Sequence, residues 1–152
     1  MKEVILMTHV TFGVFGLLAT VWLFVETLNG GEAALRRVGM ASIAVALFLW
    51  LSYVIGGYWY LNFYAADKAL ILKGPWPFAH NLFMETKEHL FFVLLLLGSF
   101  LPVAALDPQV RSSRAGRSLL LVVAALTALL ALAMEGSGGL IGLGVKEGLL
   151  AR

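Results

Sequence analysis

The stretch VILMTHVTFGVFGLLATVWLFVETL, Val4 to Leu28, decides the fold. A hydrocarbon core of about 30 Å is crossed by about 20 helical residues, and this run exceeds that length with one carboxylate, Glu26, near its end. It closes on Asn29-Gly30-Gly31, a helix-stop signal. The run follows Lys2, is too long for a signal-peptide core and lacks a small-x-small cleavage site, so it reads as a retained helix.

Three further runs meet or approach the spanning length: Val38 to Tyr60, Phe78 to Leu106 and Ser118 to Met134. The whole chain is 61% hydrophobic and 13% charged, against about 25% charged in a soluble domain. One transmembrane domain therefore occupies residues 1–152, and the expected fold is all-α, an integral-membrane four-helix up-and-down bundle. Tyr58-Trp59-Tyr60 and Tyr64 mark an aromatic belt at the membrane–water interface. The connection Ala65 to Pro77, with Asp67, Lys68, Lys73 and the breaker Gly74-Pro75-Trp76-Pro77, reads as a loop long enough to fold over the bundle as a lid. The glycine-rich tail, residues 135–152, is too short for a fifth span and is expected at the interface or tucked against the bundle.

There is no cysteine, which removes disulfides, thiolate metal sites, iron–sulfur clusters and covalent haem attachment. A net charge of +2 without a basic run argues against nucleic acid as a partner. Arg36 and Arg37 in the first connection and Arg111, Arg114 and Arg117 in the third make these the denser basic face. The other face carries Lys2, Lys68, Lys73, Lys87, Lys146 and Arg152, more thinly spread. The positive-inside rule then puts both termini on the external, periplasmic side.

Ionisable side chains inside spans are costly, so His9, Glu85 and His89 are the candidate functional residues. Counted from the far ends of their helices at Leu28 and Leu106, His9 and His89 differ in height by about 3 Å. His80 lies about 13 Å further out and faces elsewhere. On the first helix His9, Gly13, Gly16 and Thr20 share one face, and the two glycines leave a groove. That groove suits either a flat macrocycle or close helix packing by small residues. Glu85 precedes His89 by four residues and shares its face, as an orienting carboxylate, a ligand or a surface acid. Met84 is an alternative axial ligand.

Haem iron is commonly held by histidine, and apolar walls, small residues beside a ligand and a cation for the propionates are all present. The expectation is a b-type cytochrome-like protein with haem b between helices 1 and 3, ligated by His9 and His89. Gly13 and Gly16 would line it, Glu85 would orient the ligand, and Lys87, Lys68 or Lys73 would meet the propionates. It would pass electrons between a membrane quinol and an external redox protein, with Tyr58 to Pro77 covering the haem edge. The four-helix outline is similar in general form to small membrane b-type cytochromes, without a family motif that matches across the chain. Three alternatives stay open. His9, Glu85 and His89 form a two-histidine, one-carboxylate set suited to zinc, copper or non-haem iron, in metal binding or transport. The histidines can instead relay protons or meet a quinone head group. Finally, the chain can be an accessory subunit of a respiratory complex, alone or as a homo-oligomer. Nucleotide-binding loops, Ser–His–Asp arrangements and HExxH are absent, which disfavours a hydrolase.

Overall fold

Two glycines set the topology. Gly30 and Gly31 adopt φ of 63° and 100°, the left-handed region that side chains avoid, and this reverses the chain within two residues. Helix α1, Lys2–Asn29, thus runs antiparallel to α2, Glu32–Lys73. In the computed structural model, which describes residues 1–151, α2 is followed by a π-helical turn, Ala79–Met84, that leads straight into α3, Glu85–Leu106. A one-turn helix α4, Pro108–Ser112, is capped by Asp107, whose carboxylate accepts from the amides of Gln109 and Val110. Helix α5, Arg114–Leu150, completes the chain. Four helical stretches are long and apolar enough to cross a membrane: Lys2–Asn29, Glu32–Lys73, Ala79–Leu106 and Arg114–Leu150.

Helix α1 packs on α2 and α5, and α3 packs on the same two. The cross-section is therefore a rhombus whose short diagonal joins α2 and α5, with α1 and α3 at the far corners. Small residues, Ala41, Ser42, Ala105, Ala124 and Thr127, are fully buried beside leucines such as Leu23, Leu94, Leu101 and Leu120, while Leu18, Leu96, Val103 and Leu129 point outward. Large apolar groups outside and small ones at helix contacts are what lipid as solvent selects. The buried hydroxyls of Thr20, Ser42 and Thr127 donate to carbonyls of their own helices, so none is left unpaired in the apolar core.

Two expectations are corrected. Residues Ala65 to Lys73 are helical, so the lid is instead the last turns of a rod of 42 residues, about 63 Å long. The glycine-rich tail continues α5 without a break to Leu150. The reason lies in how the two rods meet. A Cβ on Gly144 would stand 2.6 Å from the Ala79 Cβ, and one on Gly148 would stand 2.5 Å from the Leu70 carbonyl oxygen. The glycines that weaken the helix locally are what let α5 lie against α2 and the π turn. A second apolar cluster forms there around Trp59, Tyr64, Ile71, Ala79, Met84 and Ile141.

The loop face, where α1 ends and α5 begins, is tied by Arg37 to Glu26 at 2.8 Å and by Arg117 to the Thr27 carbonyl at 3.2 Å. The second contact satisfies a carbonyl in the last turn of α1, where a cation is favoured. Arg36, Arg37, Arg114 and Arg117 lie within the first two turns of α2 and α5, not in loops. At the opposite, tail face, Lys2 pairs with the buried Asp67 at 2.6 Å. Arg152, counted above among the cations of this face, lies outside the described residues.

Candidate functional site

Counting about 20 residues from Glu26, Arg37, Leu106 and Arg117 at the loop face brings the four long helices to Leu6, Gly57, Thr86 and Ser137. At that level the large apolar cluster of the bundle gives way to the smaller one around Trp59. Between them lies a polar layer to which each long helix contributes: His9 from α1, Ser52 from α2, Lys87 from α3 and Glu135 from α5.

Glycines make room for it. The His9 ring lies against Gly56, where a Cβ would stand 2.5 Å from Nδ1. His9 Nδ1 sits 2.8 Å from the Ser52 carbonyl oxygen and 3.0 Å from Ser52 Oγ, while Ser52 Oγ donates to the His9 carbonyl at 3.1 Å. A carbonyl only accepts, so Nδ1 carries the proton and Nε2 keeps its lone pair in the neutral ring. The Glu135 carboxylate fills the space over Gly13, with Ser52 Oγ on the same side. Lys87 turns inward, its Nζ 3.0 Å from the place a Cβ on Gly138 would take. Lys87 is close enough to both Glu135 and His9 for their charges to interact, though no ion pair within 4.0 Å joins them among the described residues.

Above this layer, towards the tail face, a second polar group follows. Tyr64 Oη and His80 Nδ1 are 3.0 Å apart, and His80 Nε2 lies 3.4 Å from Glu85 Oε1. The π turn makes this pair. The Pro77 carbonyl accepts from the amides of both His80 and Asn81, and the widened turn sets His80 beside Glu85, five residues on. Tyr60 faces Glu88, and the buried indole nitrogen of Trp59 has no partner among the described residues.

The structure does not bring the expected ligands together. His9 belongs to the α1–α2 contact. His89 is exposed on α3, its Nδ1 donating to the Glu85 carbonyl one turn back at 2.7 Å. Helices 1 and 3 occupy the long diagonal and share no packed face. The groove expected over Gly13 and Gly16 is filled, by Glu135 at the first and by the Leu49 side chain at the second. Lys87 points into the bundle, not towards a propionate. His9 and His89 thus sit in separate surroundings, each with Nδ1 on a backbone carbonyl. Glu85 meets His80 and not a shared centre with His9 and His89, and no group of three His, Asp or Glu gathers to hold a metal ion among the described residues. No protein-family model, curated protein or solved structure matches the chain.

The sequence reading singled out His9, Lys87, Gly13 and Gly16 but missed their partners. Ser52 looks like any small residue in an apolar run, and Glu135 looks like the end of a span. The rule that an ionisable group within a span is a candidate applies to Glu135 once α5 is known to continue past it.

Proposed function

We propose that this is a membrane-embedded proton-handling component, in which His9, Lys87 and Glu135 exchange protons with the tail face. The observation that carries the reading is the convergence of three titratable side chains and a serine, one from each long helix, on one layer between two apolar clusters. Chains of such groups within membranes are characteristic of proton and ion pathways. The site is read as open to one face only, because the buried hydroxyls deeper in the bundle are turned back onto their own helices. Such a one-sided site stores or delivers protons for a membrane redox partner; it does not conduct them across. The arginines gathered at the loop face support a cytoplasmic loop face and external termini.

The test is an infrared pH titration of the protein in lipid. The expected result is a carboxyl band that titrates, disappears in Glu135→Gln and shifts in Lys87→Met. A spectrum with no titrating band assignable to Glu135 would overturn the proposal, and proton flux through proteoliposomes would overturn its one-sidedness.

A second reading keeps b-type haem and electron transfer from quinol to an external redox protein. One observation favours it: His9 and His89 both commit Nδ1 to a carbonyl and leave Nε2 as the ligand atom, the arrangement usual in metal-bound histidines. Oxidised and dithionite-reduced absorption spectra decide between the two. Sharp low-spin bands lost in His9→Ala would displace the proton reading of His9.

A further inference from the structure

On the loop face, remote from the polar layer, a cavity of about 550 Å³ opens between the start of α2, the end of α3 and α4. Its volume lies within the ~300–1,000 Å³ usual for small-molecule sites. Two guanidinium groups, Arg36 and Arg111, line it against one acid, Glu32. Of the five arginines at this end, Arg37 is held by Glu26 and Arg117 by the Thr27 carbonyl. Arg36 and Arg111 make no ion pair among the described residues. The Nε of Arg111 is buried there with no hydrogen-bond partner. Asp107, four residues before it, caps α4 through Oδ1 and forms no ion pair with Arg111. Two permanent cations on one wall, neither in an ion pair among the described residues, are complemented by an anion.

The rest of the wall is apolar. Met40, Ile43 and Leu106 line the cavity and are themselves exposed, so it continues onto the lipid-facing surface of α2 and α3. A free inorganic anion would use the guanidinium groups and leave this wall idle. An anion carrying a hydrocarbon chain uses both.

We infer that this cavity is a binding site for an anionic phospholipid, with the phosphate held by Arg36 and Arg111 and an acyl chain laid along Met40, Ile43 and Leu106. Arginine pairs phosphate oxygens bidentately, and both guanidinium-bearing side chains line this cavity. Glu32 at the rim sits in the first turn of α2, where the helix dipole accommodates it, and it disfavours a second negative charge on the head group.

Native mass spectrometry of the detergent-solubilised protein, with phosphatidylglycerol or phosphatidylcholine added in turn, tests the assignment. Phosphatidylglycerol should bind the wild type in preference to phosphatidylcholine, and Arg111→Gln and Arg36→Gln should each weaken it by about tenfold or more, the worth of a charge-assisted hydrogen bond. Arg114→Gln, which removes an equal charge outside the cavity, should leave binding unchanged. Circular dichroism checks that each variant keeps its helices. Equal binding of the two lipids, equal losses in all three variants, or displacement of phosphatidylglycerol by inorganic phosphate at comparable concentration would each overturn it, the last by making the occupant a free anion.

Discussion

Substituting Gly144 by alanine sets two effects of known size against each other. In a helix interior, alanine is favoured over glycine by about 0.8–1 kcal/mol. At Gly144, however, the new methyl would lie 2.6 Å from the Ala79 Cβ, a stiff group on a buried backbone, and 3.6 Å from Ile71. Overpacking of this kind costs about 1–3 kcal/mol. At Gly142, two residues earlier in the same helix, nothing lies within 4 Å of a new Cβ, so Gly142→Ala receives the propensity gain alone. The two single-methyl variants should then differ by about 2 kcal/mol, the midpoint of the overpacking cost, with Gly142→Ala above wild type and Gly144→Ala below Gly142→Ala. For a chain of this size that is a gap of about 4–8 °C in midpoint. Thermal unfolding in one detergent at one scan rate, followed by circular dichroism, measures it, and the fixed rate matters because membrane proteins can unfold irreversibly. If the two variants are stabilised equally, α5 does not lie against the π turn as described, and the reasoning that made the tail part of the fold fails.

Further predictions follow from the polar groups. Gly56→Ala should push the His9 ring off Ser52, seen as a changed imidazole signal by nuclear magnetic resonance with the helix content intact; an unmoved signal would refute that contact. Tyr64→Phe should cost about 1–3 kcal/mol, because the buried His80 Nδ1 loses its partner, and thermal unfolding reads the loss. Asp107→Ala should destabilise by about 1 kcal/mol through loss of the α4 cap, with local amide exchange rising first at Gln109 and Val110.

Much of the architecture is legible because lipid imposes it. The four spans follow from uninterrupted apolar runs, and the stop at Asn29-Gly30-Gly31 lies where α1 ends. The errors fall where tertiary contacts override local signals. Asp67, Lys68 and Lys73 look like a loop, yet Ala65, Ala66, Ala69 and Leu70 around them are strong helix formers, and Asp67 and Ile71 are buried on one face. Helix rise gave His9 and His89 similar heights, but rise along an axis carries no information about which neighbour a face meets. His9 therefore met Ser52 and Gly56 instead of His89. Likewise Gly13 and Gly16 signalled a groove, while its contents, Glu135 and Leu49, came from helices the spacing could not identify.

The π turn makes this molecule sensitive to how six residues are wound. An α-helix advances about 100° per residue, so letting all six residues of Ala79–Met84 rewind as α-helix, with none removed, would rotate everything before them by roughly that angle relative to α3. His80 would swing away from Glu85, and Trp76 and Phe78 would be carried round the axis with it. A one-residue deletion here, which lets the segment close as α-helix, should keep that phase and be tolerated better than a one-residue deletion inside α3, which shifts every face before it by about 100°. The widened turn is thus a phase-keeping element: it absorbs one residue, and the angular relation of the tail-face polar group to the bundle below hangs on its staying wide.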